Sequence, residues 1–312
     1  VVKMRRYISI SNTAHLWRSA FFAAMAVACA VGVTSCSADG NLATAELRDE
    51  HSVEASDTNR PEAIVGTTAA SPSVAVGGVD ELQRSFEAVS SDIAGDVGVA
   101  IASANGVRSF GSWRTGPAWS TIKVPLAIAA LRNSQEAAAP FVDPAIRSSD
   151  NAAAEALWAQ LGQPEEAAAS VGAVLVEAGD SSTIVESERR RSEFTAFGQT
   201  DWSLANQATF ASKLRCLSRS DSVINDMGDV AGNQQWGLAG KNHAAVKGGW
   251  GPSPEGPYLV RQIALVETES GSVGIALAAQ ASDGGFQTGS TQLDTLSAWV
   301  LDHLGFFPGA HC

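Results

Sequence analysis

The chain has 312 residues, 45% of them hydrophobic and 17% charged, with a formal net charge of −12. That apolar content fills one large globular domain or two small ones and excludes a disordered polar chain. The negative charge argues against nucleic acid as a partner.

In chain order, the first element is an export signal. Lys3, Arg5, Arg6 and Arg18 precede the apolar run Phe21 to Val33, and Thr34-Ser35-Cys36 follows. A basic start, a short apolar stretch and small residues make a removable leader. Its thirteen apolar residues fall short of the ~20 that span a bilayer. Val33-Thr34-Ser35-Cys36 resembles a bacterial lipobox. The resemblance implies a lipoprotein signal peptide over 1–35 and lipidation at Cys36, so that the exported chain is anchored outside the cytoplasm to the cell membrane. An ordinary leader with an incidental cysteine is the other reading. Without those first residues, 17 Lys and Arg stand against 33 Asp and Glu, a net charge of −16.

Residues 36–78 are rich in Ala, Ser, Thr, Asp and Glu with no hydrophobic period, and read as a disordered tether. Such a segment spans ~35 Å root-mean-square. The folded domain is expected over 79–312. It holds Cys216 and Cys312, and export makes a disulfide between them reasonable, with two free thiols as the alternative.

Leu82, Phe86, Val89 and Ile93 fall on one helical face behind Asp80. Asp96 to Ser103 alternates as a strand, Asn105-Gly106 supplies a hairpin turn, and Val107 to Trp113 returns. From about 120 to 235 Ala, Leu and Glu dominate, predicting a helical subdomain. Val246–Gly249, Tyr258–Val266 and Val273–Ala281 read as strands, and Leu293, Leu296, Val300 and Leu304 line a last helix. The expectation is an α+β fold: a five-stranded antiparallel sheet flanked by terminal helices, with an all-helical subdomain alongside. No 20-to-50-residue repeat is visible, which argues against a solenoid.

Chemistry concentrates in three places. Ser120 stands three residues before Lys123 at the start of an apolar run, so on a helix the hydroxyl and the amine share a face. Serine needs a base, and lysine serves when burial and a neighbouring cation lower its pKa. Lys247 could be that cation. A helix start at Ser120 also aims backbone N–H groups at a developing oxyanion. Pro125 is tolerable there because it falls in the first turns. Ser149-Asp150-Asn151 precedes the helical stretch Ala152 to Trp158, where all three residue types also serve as helix caps. Lys247-Gly248-Gly249 opens the strand-rich end, where an edge lysine and a bulge are the structural alternative.

Ser-x-x-Lys, Ser-Asp-Asn and a Lys-x-Gly triplet in this order are the signature of class A β-lactamases and penicillin-binding proteins, and the chain resembles that superfamily over about residues 80 to 305. The resemblance implies a serine acyl hydrolase that opens β-lactam amides through an acyl-enzyme on Ser120, with Lys123 as base. It implies that Ser149 relays protons between the lysines and the leaving nitrogen, and that Asn151 positions Lys123 and the substrate amide. Lys247 and Gly249 border the substrate, and the N–H of Trp250 joins the oxyanion hole. Counting back from Thr200–Phe210, which looks like the helix after the family's omega loop, makes Glu186 the water-activating residue. An exposed glutamate in a charged loop is the other reading.

Three departures stand out. Arg189 and Arg190 replace the leucine and asparagine that follow the family's glutamate, Gly248 replaces its hydroxyl residue, and the 29-residue interval from Ser120 to Ser149 is about half the usual. A D-alanyl-D-alanine carboxypeptidase or esterase with the same acylation half is the alternative, and a non-catalytic wall-binding lipoprotein a further one. The expected partner is a β-lactam or D-Ala-D-Ala-type substrate, with no cofactor, no metal and a monomeric chain.

Overall fold

The computed structural model describes residues 76–253 and 256–312. The expected signal peptide, Cys36 and nearly all of the expected tether lie outside the described residues. Helix α1, Val76–Ser90, begins three residues before the expected boundary at 79. It buries Leu82 and Phe86. Ile93 falls beyond its end but packs on the same apolar cluster.

Strands β1 (Gly95–Ser103) and β2 (Gly106–Gly111) form a hairpin. Ser103 pairs with Gly106, so the turn residues are Ala104 and Asn105, one position earlier than Asn105-Gly106. Gly106 is already in β2, with φ +95°, which glycine adopts freely. A 3₁₀ turn, Trp119–Ile122, leads into α2 (Lys123–Asn133). Then come α3 (Gln135–Arg147), α4 (Asn151–Ala159) and α5 (Pro164–Glu177). A long connection, 178–203, contains only a short 3₁₀ turn, Phe197–Gln199. It interrupts the block expected to be mostly helical. Next are α6 (Leu204–Ser212), α7 (Asp221–Gly228), β3 (Ala245–Pro252), β4 (Tyr258–Thr268), β5 (Gly271–Ala281) and α8 (Phe286–Asp302).

The sheet order is β2-β1-β5-β4-β3, with every neighbouring pair antiparallel. Side-chain alternation gives its two faces different sizes. Val97, Val99 and Ile101 of β1 and Val273, Ile275 and Leu277 of β5 join Leu82, Phe86, Leu293, Leu296 and Trp299 in one core. On the other face Ala100, Ala102, Ala276 and Ala278 meet Leu204 and Ala208 of α6. Small residues let α6 lie close: a Cβ on Gly274 would come within 2.0 Å of the Ala208 carbonyl oxygen. Thus α6 belongs to the sheet as much as to the helical subdomain, whose core is built mainly from α2, α3, α4, α5 and α7. Cys216 and Cys312 form a disulfide, Cα to Cα 5.3 Å apart.

Candidate active site

Ser120 sits in the 3₁₀ turn, half-exposed between the buried Trp119 and Thr121. Trp119 has φ +49°, a left-handed conformation uncommon for a bulky residue and a frequent mark of a functional turn. The turn is tied from below. Buried Arg261 of β4 donates from Nη1 to the carbonyls of Gly116 and Pro117 at 2.9 Å each. Its Nη2 donates to the carbonyl of Trp202 and to Oε1 of Gln207, also at 2.9 Å. Gln207 in turn donates to the Thr121 hydroxyl at 2.7 Å, and that hydroxyl donates to the Ala118 carbonyl at 2.6 Å. Burial lowers the Arg261 pKa to about 9. This network has no motif in the sequence; the signal for it is an arginine placed inside the apolar run 258–266.

Lys123 opens α2 and is buried. Its amine donates to the Ser149 carbonyl at 2.7 Å, Asn151 Oδ1 at 2.8 Å, the Asp150 carbonyl at 3.3 Å and the Ser149 hydroxyl at 3.4 Å. None of these bonds reaches the Ser120 hydroxyl, although the two residues are three apart. The 149–151 turn, with Ser149 at φ +59°, points its acceptors at the amine and outcompetes the hydroxyl. Lys247 of β3 donates to the same Ser149 hydroxyl at 2.8 Å and to the Gly248 carbonyl at 2.9 Å. Ser149 therefore bridges two buried amines. Burial lowers the Lys123 pKa to about 7 against the pull of Asp150 and Glu155. Burial and then the charge of Lys123 push Lys247 well below its usual value. Asp150 caps α4, its Oδ1 accepting from the Ala153 amide at 2.7 Å, so capping and lysine binding coexist in one tripeptide.

Strand β3 packs backbone to backbone on the Ser120 turn. A Cβ on Gly249 would lie 2.9 Å from the Ser120 nitrogen and 3.0 Å from the Ala118 oxygen. On Gly248 it would enter the Trp236 ring at 2.5 Å. The space a hydroxyl side chain would take at 248 is thus filled by Trp236, which also meets Trp250 and Phe286 edge-on at centroid distances of 6.2 Å.

A cavity of about 430 Å³ opens here, lined by Ser120, Lys123, Asn151 and Trp250 together with Glu155, Arg189, Glu193 and Phe194. Trp119 is shared with a second cavity of about 540 Å³ that touches neither Ser120 nor either lysine. Glu186 lines neither. Its carboxylate is held by Arg190 and by the Glu188 amide at 3.1 Å. Glu155 is absent from the sequence-based expectations, and Arg189 entered them only as a departure from the family's pattern. Glu155 had a signal, since it follows Asn151 by one helical turn.

The fold has known counterparts. A class A β-lactamase described as the W229D mutant of the last common ancestor of Gram-negative bacteria superposes with a TM-score of 0.56 at 18% identity, over 72% of this chain and 98% of that one. The TLA-3 extended-spectrum β-lactamase gives 0.58 at 17%, over 72% and 98%. The class A β-lactamase of Mycobacterium abscessus gives 0.57 at 16%, over 72% and 99%. No protein-family model matches the sequence, and no curated protein matches it. The chain has the fold of the class A β-lactamases.

Proposed function

We propose that the protein is a serine acyl hydrolase that opens β-lactam amides through an acyl-enzyme on Ser120. The observation that carries this reading is the Ser149 hydroxyl bridging Lys123 and Lys247 at 3.4 and 2.8 Å beside a cavity that contains Ser120. In the first step the Ser120 oxygen bonds to the substrate carbonyl carbon while its proton passes to neutral Lys123. The tetrahedral adduct then breaks its C–N bond as the Ser149 hydroxyl gives its proton to the leaving nitrogen and takes one back from a lysine. Asn151 and Trp250 border the substrate, and the N–H groups of Ser120 and Trp250 receive the oxyanion. The β-lactamase neighbours support the reading through the fold.

The pairing of Glu186 with Arg190 favours a second reading with the same first half, a D-alanyl-D-alanine carboxypeptidase or esterase that releases its acyl group slowly. Nitrocefin turnover and intact-mass detection of a penicillin adduct separate the two. Turnover with little adduct supports the lactamase; a long-lived adduct supports the peptidase; neither would leave a non-catalytic wall-binding protein. We also infer, from the sequence pattern around Cys36, attachment to the outer face of the cell membrane by lipid. Cys36→Ala should move the protein to the soluble fraction, and retention in the membrane after leader removal would contradict it.

A further inference from the structure

Two carboxylates border the Ser120 cavity among the described residues, Glu155 and Glu193. Glu155 lies on α4 four residues after Asn151, so both side chains share a face of the helix. Asn151 holds the Lys123 amine, and the charge of Glu155 is near enough to favour protonated Lys123. Glu155 Oε1 accepts from Arg189 Nη2 at 2.6 Å. Its Oε2 has no hydrogen-bond partner among the described residues. Glu193 differs: it sits on the 178–203 connection with its side chain 62% exposed, against 35% for Glu155. A carboxylate fixed on a helix, with one oxygen engaged and one open, is pre-organised to hold a water in a way that a solvated loop side chain is not.

We propose that Glu155 is the general base of the hydrolytic half-reaction, with Arg189 holding its carboxylate at the cavity wall. The inference rests on the acyl-enzyme reading above. Glu155 Oε2 takes a proton from water while the water oxygen bonds to the ester carbonyl carbon. The tetrahedral adduct then breaks its C–Oγ bond, and the proton returns through Lys123 to the Ser120 oxygen. The products are the free acid and the regenerated serine, and no electron acceptor is needed.

The test is the lifetime of the benzylpenicillin adduct, followed by intact mass after free drug is removed, together with nitrocefin turnover. Glu155→Gln should acylate at much the same rate as wild type and deacylate more slowly by on the order of 10²-fold or more. Glu155→Asp, which keeps a carboxylate, should recover part of that loss. Thermal melts confirm that each variant is folded. Equal lifetimes in Glu155→Gln and wild type overturn the inference. So does an equally long lifetime in the Gln and Asp variants, which marks a packing role, or a lifetime that lengthens in Glu186→Gln and not in Glu155→Gln. Absence of both adduct and turnover in wild type instead removes the acyl-enzyme reading itself, and the inference with it.

Discussion

On the proposed mechanism Lys123 sets the pH dependence of the site. Its pKa is lowered to about 7, first by burial and against the opposing charges of Asp150 and Glu155. Only the neutral amine can take the Ser120 proton, so the rate of covalent labelling should rise through pH about 7 and level off above it. A flat profile from pH 5 to 9, measured by stopped-time labelling with a fluorophosphonate, would contradict this role. The sign for stability follows from linkage. The folded pKa lies below the unfolded value of 10.5, so the folded state binds fewer protons between the two, and this lysine's contribution makes stability rise with pH across that window. Below the folded pKa its destabilising effect is complete. Arg261 acts on the same turn from beneath. Arg261→Ala would leave the carbonyls of Pro117 and Trp202 without their side-chain donor, while Gly116 keeps the Trp202 amide at 3.0 Å, and should cost about 3 kcal/mol in urea unfolding. A change within measurement error would mean those carbonyls find other partners.

At the scale of elements, β3 and the Ser120 turn are matched through glycine. Gly249→Ala places a methyl against the Ser120 and Thr121 backbone nitrogens at 2.9 and 3.0 Å, so either the strand or the turn must shift. The expected outcome is destabilisation by ~1–3 kcal/mol and loss of labelling. Full labelling with an unchanged melt would show that the contact is looser than described. Gly248→Thr should destabilise through its clash with the Trp236 ring, and Trp236→Ala should relieve it, so the double variant is more stable than additivity predicts. Much of this site was legible in the sequence because its parts are local: Ser120 with Lys123, Ser149 with Asn151, and Lys247 with Gly249 each lie within one turn or one strand segment. What joins them is not local. The Lys123 amine answers to a turn 26 residues away, which is why spacing alone predicted a Ser120 contact that the amine does not make. Glu186 pairs with Arg190, while Arg189 pairs with Glu155, and spacing could not reveal which arginine the loop would pair with it.

For the whole molecule, apolar patterning located every strand of the sheet and both terminal helices, because the terminal helices bury one face at period 3.6 and the central strands are short apolar runs buried on both faces. It misplaced the hairpin turn by one residue and left β3 three residues short at its carboxyl end, since Trp250, Gly251 and Pro252 carry no alternation. The 178–203 connection was hidden by composition, and α6 looked like part of a helical block because sequence cannot say which surface a helix covers. The disulfide between Cys216 and Cys312 closes 96 residues of chain. It should contribute about 4 to 5 kcal/mol by restricting the unfolded state, and Cys216→Ser should lower the melting temperature accordingly; an unchanged melt would show the bond is not formed in the protein.

Ser120, served by the two lysines that share Ser149, is the proposed nucleophile. Peptide mapping of the covalent adduct formed with a β-lactam or a fluorophosphonate tests it most directly. The predicted result is a single modified peptide carrying Ser120, absent in Ser120→Ala and slowed by several orders of magnitude in Lys123→Ala. Modification of another serine, or labelling that persists in folded Ser120→Ala, would contradict it.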